Sequence, residues 1–297
     1  MATIAVSGSS GLIGSALVAL LREYGHDVLR LVRKAAVQPD EVGWDPARGE
    51  IHLEACAGVT AIVNLSGAPI SRRWNDRYRE ELLTSRLDAT HTLATAAATL
   101  GPEVALINAS AVGYYGDRGR EPLTEDSPPG TGFLAELVQK WEAATTVAAE
   151  AGNRVVLART GLVISNRGGA LGPLMPMLRA GIAGPLGSGE QIWPWISLRD
   201  EVRALAWTIE DELSGPVNLA SPATTTNGEL IKAIADGIGR PAVLRVPKPA
   251  LRAALGGLAG DVLASQNQIP KVLLDSGFTF KQRTLDDLVT WLVAEEN

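Results

Sequence analysis

The sequence has 297 residues, of which 46% are hydrophobic and 20% are charged, and its formal net charge is −6. This length allows one large domain with an appended lobe, or two domains. The mild acidity and the scattered basic residues argue against a nucleic-acid partner, and no apolar run approaches the roughly 20 residues that a membrane span needs.

The first elements are a strand, a glycine-rich loop, a helix and a second strand. Residues 3–7 and 28–32 are short apolar runs, and Leu17 and Leu21 recur at helical spacing between them. Glycines in such a loop permit a tight turn and a close backbone approach to a diphosphate, which the helix amides then face. The alternative is a glycine-rich turn without a ligand. The predicted dinucleotide-binding residues of this loop are Gly8, Ser10, Gly11, Leu12, Ile13 and Gly14.

The residues after the second strand predict which dinucleotide binds. An acidic side chain there would accept hydrogen bonds from the ribose hydroxyls of NAD. This chain has Arg33-Lys34 instead, and a guanidinium can hold a 2′-phosphate through charge-assisted hydrogen bonds. The pair favours NADP(H), unless both side chains are only solvated loop charges.

The next elements continue the alternation of strands and helices. Residues 35–53 are rich in turn residues and predict a loop or hairpin. Apolar runs at 60–65, 104–109 and 155–158 alternate with helical stretches at 75–99 and 133–151. This order predicts an α/β fold, a doubly wound parallel-sheet Rossmann domain.

The composition changes after Arg159. Residues 166–198 are rich in glycine and proline and predict an excursion beside the ligand-binding edge of the sheet. We predict a Rossmann domain over 1–165, completed by 199–222, with a substrate side and a smaller, mainly helical C-terminal lobe formed by 166–198 and 223–297. Asn227 is expected to cap one helix of that lobe. Trp193 and Trp195 predict either an aromatic pocket wall or packing at the junction.

Motifs along nearly the whole chain resemble those of one protein family. The GxxGxxG spacing is similar to the extended short-chain dehydrogenase/reductase superfamily. The further motifs resemble its atypical YfcH-like epimerase family, which has a helical C-terminal region. These motifs are VGWDP at 42–46, VNLSGA at 63–68, RRW at 72–74, SR at 85–86, SAVGYYG at 110–116, TEDSP at 124–128 and GPLGSG at 184–189.

The resemblance implies further cofactor contacts. The family's backbone passes the adenosine and ribose part of the cofactor at positions that match Leu65, Ser66 and Gly67. Positions matching Glu81 and Arg86 on the following helix, and Arg159 after a later strand, reach the cofactor in relatives. On their own terms, Glu81 and Arg86 fit a surface helix pair equally well.

One feature departs from the superfamily. Ordinary members carry Tyr-x-x-x-Lys on a helix, where the lysine lowers the pKa of the tyrosine so that the phenol can exchange a proton. In this chain Leu134 and Val138 occupy those positions, and Lys140 points about 200° away around the helix.

Three functions therefore stay open. An oxidoreductase would need a relocated proton donor, for which Tyr114 and Tyr115 stand after a strand end, with Ser110 orienting a substrate carbonyl. An epimerase or other isomerase needs an acid and a base, and Glu125 and Asp126 are the acidic candidates. The third function is a non-catalytic NADP(H) sensor, which suits an intact phosphate loop without the dyad.

Partners and compartment follow from composition. Cys56 is the single cysteine, so no internal disulfide can form, and the N-terminus lacks the basic region of a signal peptide. We expect a cytoplasmic protein with an unidentified small-molecule substrate and no nucleic-acid or membrane partner. The sequence leaves open whether the protein forms a homodimer. The three histidines are far apart, so no metal site is predicted.

Overall fold

The computed structural model describes residues 1–296, with thirteen strands and eleven helices in that range. The strands are β1 (Thr3–Ser7), β2 (Asp27–Val32), β3 (Glu41–Asp45), β4 (Glu50–Ile51), β5 (Val59–Asn64), β6 (Ala105–Ala111), β7 (Pro122–Leu123), β8 (Val155–Thr160), β9 (Leu162–Ser165), β10 (Gly168–Gly169), β11 (Trp195–Ser197), β12 (Gly215–Leu219) and β13 (Asn267–Gln268). The helices are α1 (Leu12–Glu23), α2 (Asp76–Leu100), α3 (Phe133–Ala143), α4 (Thr146–Glu150), α5 (Met175–Arg179), α6 (Leu198–Glu210), α7 (Asn227–Gly237), α8 (Lys248–Leu255), α9 (Leu258–Val262), α10 (Lys271–Asp275) and α11 (Leu285–Glu296).

The main sheet has eight strands in the order β12-β8-β6-β5-β1-β2-β3-β4. All neighbouring pairs are parallel except β3 and β4, which form an antiparallel hairpin within the turn-rich stretch. Strand order reverses between β1 and β5, and ligands bind at such a switch point in open α/β sheets. The predicted doubly wound Rossmann fold is confirmed.

Helices cover both faces of this sheet. Successive strand residues point to opposite sides, so a strand with apolar residues at every position needs a covering layer on each face. Ile4 and Val6 of β1 pack in one cluster with Leu17 of α1 and Leu205 of α6. Ala5, between them in sequence, packs in a second cluster with Leu93 of α2. The two clusters make the apolar core on either side of the sheet.

The C-terminal part forms a third core of its own. A small sheet, in the order β10-β9-β11, packs with α5, α7, α8, α9 and α11 around buried residues that include Leu171, Trp195 and Leu230. The following segment packs against the main sheet and contributes to a separate two-stranded sheet. β13 pairs with β7, and Leu273, Phe278 and Phe280 are buried in the same cluster as Ile4.

Two local predictions were wrong, each for a side-chain reason. The helix expected over 133–151 is broken, because the hydroxyls of Thr145 and Thr146 donate to the carbonyls of Glu142 and Ala143 at 2.7 Å and compete with helical bonding. The cap of α7 is Thr226, not Asn227, since Thr226 and Glu229 form a reciprocal capping box. Within residues 1–296, no helix is long and apolar enough to cross a membrane.

Candidate functional site

The glycine-rich loop lies at the switch point, and backbone contacts explain its glycines. Gly8 has a φ of +65°, and a Cβ there would lie 2.7 Å from the carbonyl oxygen of Leu65 at the end of β5. A Cβ at Gly14 would lie 2.2 Å from the carbonyl oxygen of Gly8. The loop therefore presses against both the neighbouring strand and its own helix, as a close-approach phosphate loop requires.

The start of α1 leaves backbone N–H groups available to a ligand at this loop. Gly11 is the N-cap residue, and within the described chain no side chain caps this helix. The first amides of a helix have no acceptor inside it, and they carry the positive end of the helix dipole. Ser10 and Gly11 are exposed, while Leu12 and Ile13 are half-buried. A diphosphate fits this cradle because it needs several amide donors and space that a side chain would fill.

Arg33 and Lys34 differ in their surroundings. Arg33 follows β2 directly and is exposed, and none of residues 1–296 forms an ion pair with it. The Lys34 ammonium lies 3.4 Å from a carboxylate oxygen of Glu41. Arg33 is thus the free cation at the position where a 2′-phosphate would lie, and its role stays a prediction.

A buried polar network supports loop 65–67. The amide group of Asn64, at the end of β5, donates to Asn108 at 2.7 Å and to Thr90 at 3.0 Å, and its oxygen accepts from Ser7 at 2.8 Å. The same oxygen accepts the backbone N–H of Ser66 at 3.2 Å. The sequence did not predict this network, although the asparagines Asn64 and Asn108, each in or beside an apolar strand, were a visible signal.

Glu81 and Arg86 do not form a surface pair. Glu81 is exposed on α2, whereas Arg86 is buried, with its guanidinium 5.1 Å from the ring centre of Trp141. A Cβ at Gly67 would lie 3.2 Å from the guanidinium carbon of Arg86, so the loop and this cation are in contact. Arg86 therefore lies beside loop 65–67, at the carboxyl ends of β1 and β5 where the crevice of an open α/β sheet is found, while Glu81 has no described contact there.

The dyad positions are apolar in three dimensions as well. Val138 is fully buried and Leu134 half-buried, in one cluster with Trp74, Ala111 and Tyr114. Lys140 is exposed on the other side of α3. The place where relatives with the dyad hold a proton donor therefore has no group on α3 that can exchange a proton.

The structure corrects the expectation that Tyr115 donates a proton. Tyr115 is 0% exposed, and its hydroxyl donates to Asn218 at 2.7 Å and accepts from Arg159 at 3.0 Å. Burial raises the pKa of Tyr115 to about 12. Both sides of the phenol oxygen are occupied by protein, so Tyr115 is a packing residue that holds β8 and β12 together.

Ser110 and Arg159 are likewise engaged inside the protein. The Ser110 hydroxyl donates to Glu142 at 2.5 Å, so it does not point freely into the crevice. Arg159 forms an ion pair with Glu142 and donates to the carbonyl of Glu125 at 3.2 Å. Its guanidinium carbon lies 3.5 Å from the ring centre of Tyr114. These contacts leave Tyr114 as the tyrosine of the pair that is half-exposed beside the crevice.

Glu125 and the two aromatic candidates are engaged inside the protein, whereas Asp126 is not. One carboxylate oxygen of Glu125 accepts the backbone N–H groups of Asn218 and Val272, both at 3.1 Å, and Asp126 is exposed. Trp193 and Trp195 are buried in the C-terminal core, which corrects the aromatic-wall reading. Their indole N–H groups donate to the Val262 carbonyl and the Thr225 hydroxyl respectively.

The glycine-rich GPLGSG segment lines a different cavity. Pro185, Ser188 and Gly189 border an open groove with Thr226 and Lys232. That groove shares no residue with the phosphate loop or with loop 65–68. Within residues 1–296, no group of three or more His, Cys, Asp or Glu side chains could hold a metal ion.

Comparisons with known proteins match this architecture. A sequence model of the NAD dependent epimerase/dehydratase family matches residues 4–220, and one of a domain of unknown function, DUF1731, matches residues 246–292. An epimerase family protein of Mycobacterium bovis is 46% identical over 289 residues, 96% of each chain. Two solved structures are also similar.

The human epimerase family protein SDR39U1, crystallised with NADPH, is similar with a TM-score of 0.89 and 33% identity over 98% of this chain and 99% of that one. A Corynebacterium glutamicum protein described as a nucleoside-diphosphate sugar epimerase is similar with a TM-score of 0.81 and 35% identity. That match covers 99% of this chain and 58% of the longer one.

Proposed function

This chain belongs to the NAD dependent epimerase/dehydratase family, and from that membership we propose that it binds NADP(H) and oxidises or reduces a small molecule in the cytoplasm. The observation that carries the proposal is the uncapped start of α1 beside the close contacts of Gly8 and Gly14. NADPH bound to the human relative supports the choice of cofactor.

Three parts of this chain would bind different parts of the cofactor. The amides of the first turn of α1 would bind the diphosphate, and Arg33 would bind the 2′-phosphate. Loop 65–67, held by the Asn64 network, would fix the position of the nucleoside beside it. NADP(H), when bound, supplies or accepts a hydride.

Helix α3 supplies no proton-exchanging group where the family's dyad would lie. Val138 is buried there and Leu134 is half-buried, in one apolar cluster with Trp74. These side chains do not provide the acid and base that epimerisation requires. We therefore propose redox chemistry in which the product exchanges its proton with solvent or through the half-exposed Tyr114.

The apolar dyad positions also favour a second function, an NADP(H)-binding sensor that turns nothing over. Both functions need tight cofactor binding, and only the first needs a substrate. The two are separated by mixing the purified protein with NADPH and a metabolite library while nicotinamide absorbance is followed.

Sustained NADPH oxidation with one compound class supports the oxidoreductase. Binding of NADPH with no turnover across the library supports the sensor. If the protein binds neither NADPH nor NADH in a fluorescence titration, the proposed cofactor site is refuted.

A further inference from the structure

Residues 241–246 run beside the GPLGSG segment, residues 184–189, on the C-terminal side of the molecule. The backbone N–H of Val246 donates to the carbonyl of Pro185 at 3.0 Å, and the carbonyl of Val246 accepts the N–H of Gly187 at 2.9 Å. The two stretches are paired in parallel at this point. One side of segment 241–246 is thus bonded to the protein in the manner of a β-strand.

The opposite side of this segment is a free edge. A Cβ at Gly184 would lie 2.6 Å from the carbonyl oxygen of Leu244 and 3.0 Å from that of Ala242, so these two carbonyls face the bonded side. Successive residues of an extended chain point their N–H and C=O groups to opposite sides. The backbone groups of Val243 and Arg245 therefore point outward, and no hydrogen bond in the described chain involves them.

The side chains along this edge are apolar and exposed. Val243 is 74% exposed and Leu244 is 53% exposed. Ile182 is 54% exposed and follows Gly181, where a Cβ would lie 3.4 Å from Pro241 at the start of the edge. Contiguous exposed apolar side chains mark interaction surfaces, and an unpaired strand edge is a template for another strand.

The edge is complementary to itself. An antiparallel pair around a twofold axis through Leu244 places Val243 opposite Arg245 of a second copy. Each of these residues then exchanges both of its backbone hydrogen bonds with the residue opposite, and the two Leu244 side chains meet at the axis. A twofold interface requires such a surface, because both copies contribute the same residues to it.

The charges also favour a second copy as the occupant. Arg245 is exposed and has no ion-pair partner in the described chain. Val243 lines the same groove as the acidic residues Glu229 and Asp236. In the self-paired arrangement the free guanidinium of one copy lies opposite Val243 of the other, at the groove that holds these carboxylates. A different peptide would have to supply a cation in the same register.

We propose that residues 241–246 are the interface of a homodimer, in which two copies of this edge pair antiparallel through Val243 and Arg245. Pro241 and Pro247 bracket the edge and cannot donate a backbone hydrogen bond, so the pairing is confined to a few residues. The dimer is therefore weak and depends on protein concentration. This interface does not depend on the proposed NADP(H) site.

Sedimentation velocity over about a hundredfold range of protein concentration tests the proposal. Val243→Pro removes an N–H group that bonds to nothing in the described chain, and Leu244→Lys places like charges at the axis. Leu274→Lys is the matched control, since it adds the same charge at another exposed leucine, on α10. We expect the wild type and the control to dimerise. The dissociation constant of the dimer should rise at least about tenfold in both edge variants.

Amide hydrogen exchange of the wild type gives a second readout of the same interface. We expect the N–H groups of Val243 and Arg245 to become protected as the protein concentration rises. Urea unfolding reports the folding of each variant, and we expect unchanged midpoints because both substituted side chains are exposed in the monomer.

A wild type that stays monomeric over the whole concentration range would overturn the proposal and leave the edge to a different protein. A dimer that persists in Leu244→Lys would show that the copies meet through another face. Free exchange of the Val243 and Arg245 N–H groups in the dimer would overturn the backbone pairing. If Val243→Pro lowers the urea midpoint markedly, Leu244→Lys decides alone.

Discussion

Arg159 and Glu142 form a bidentate ion pair between the end of β8 and helix α3. The guanidinium Nε and Nη2 donate to the two carboxylate oxygens at 2.8 and 2.9 Å, and the side chains are only 3% and 10% exposed. Ser110 at the end of β6 donates to the same carboxylate. One pair thus joins two neighbouring strands and the helix that covers them.

Replacing Glu142 with glutamine should destabilise the fold by about 3–5 kcal/mol, because a buried guanidinium loses its counter-charge. Urea unfolding monitored by tryptophan fluorescence measures the effect. The double variant Glu142→Gln/Arg159→Met removes both charges and should recover part of the loss. A loss below about 1 kcal/mol in the single variant would show that the pair behaves like an exposed one.

Gly14→Ala should weaken NADPH and NADH alike. The added Cβ would lie 2.2 Å from the Gly8 carbonyl, so the loop must shift away from the diphosphate. The loss of one charge-assisted hydrogen bond predicts a roughly tenfold or larger fall in affinity, and the overpacking should cost about 1–3 kcal/mol of stability. Gly260→Ala is the matched control, since nothing lies within 4 Å of a Cβ there, and fluorescence titration is the measurement. Unchanged affinity in Gly14→Ala would place the diphosphate elsewhere.

Arg33→Ala should weaken NADPH about ten- to hundredfold, the effect of one charge-assisted contact, and should leave NADH nearly unchanged. Lys34→Ala should have a smaller effect, because Lys34 already lies beside Glu41. Parallel titrations with the two cofactors give the ratio directly. If both cofactors weaken equally in Arg33→Ala, the side chain does not read the 2′-phosphate.

Glu201 predicts a pH-dependent stability. This carboxyl on α6 accepts a hydrogen bond from Thr160 at 2.9 Å, its other oxygen has no partner within residues 1–296, and burial raises its pKa from 4.5 to about 8. Between these pH values the unfolded chain ionises while the folded protein stays protonated. The contribution of protonated Glu201 to the free energy of unfolding is therefore complete below pH 4.5. It is lost as the pH rises to about 8, and the loss is at most about 5 kcal/mol.

Glu201→Gln removes this titration. The difference in unfolding free energy between variant and wild type should therefore grow in favour of the variant across that pH interval and stay constant above it. Urea unfolding at several pH values measures the difference in unfolding free energy between variant and wild type. The contributions of the other titrating groups cancel in this difference. A difference that does not vary with pH would mean that Glu201 is ionised in the folded protein.

Local sequence patterns predicted the fold and the phosphate loop because both depend on residues close in the chain. The loop glycines lie within seven residues, and the apolar runs mark the strands directly. The absence of the dyad was also visible, since Leu134 and Val138 fall in one helix. The structure places both among apolar neighbours, as their chemistry suggests.

The environments of long side chains could not be predicted in the same way. Tyr115 and Arg159 sit at strand ends, where ligand contacts are common, but their partners Asn218 and Glu142 come from elsewhere in the chain. Spacing alone does not reveal that these groups satisfy each other. The same limit applies to Arg86, for which the sequence left a cofactor contact and a surface helix pair open, and whose burial against Trp141 appears only when α3 packs over it.

The packing of residues 264–280 against the main sheet has a consequence for how this chain unfolds. Gln268 donates to the Arg159 carbonyl and to Asn218, and Phe278 and Phe280 fill the same core as β1. A fragment ending near residue 220 would leave a gap in that core. We therefore expect the regions matched by the two family models to unfold together, so that heat melts the chain cooperatively, in a single transition.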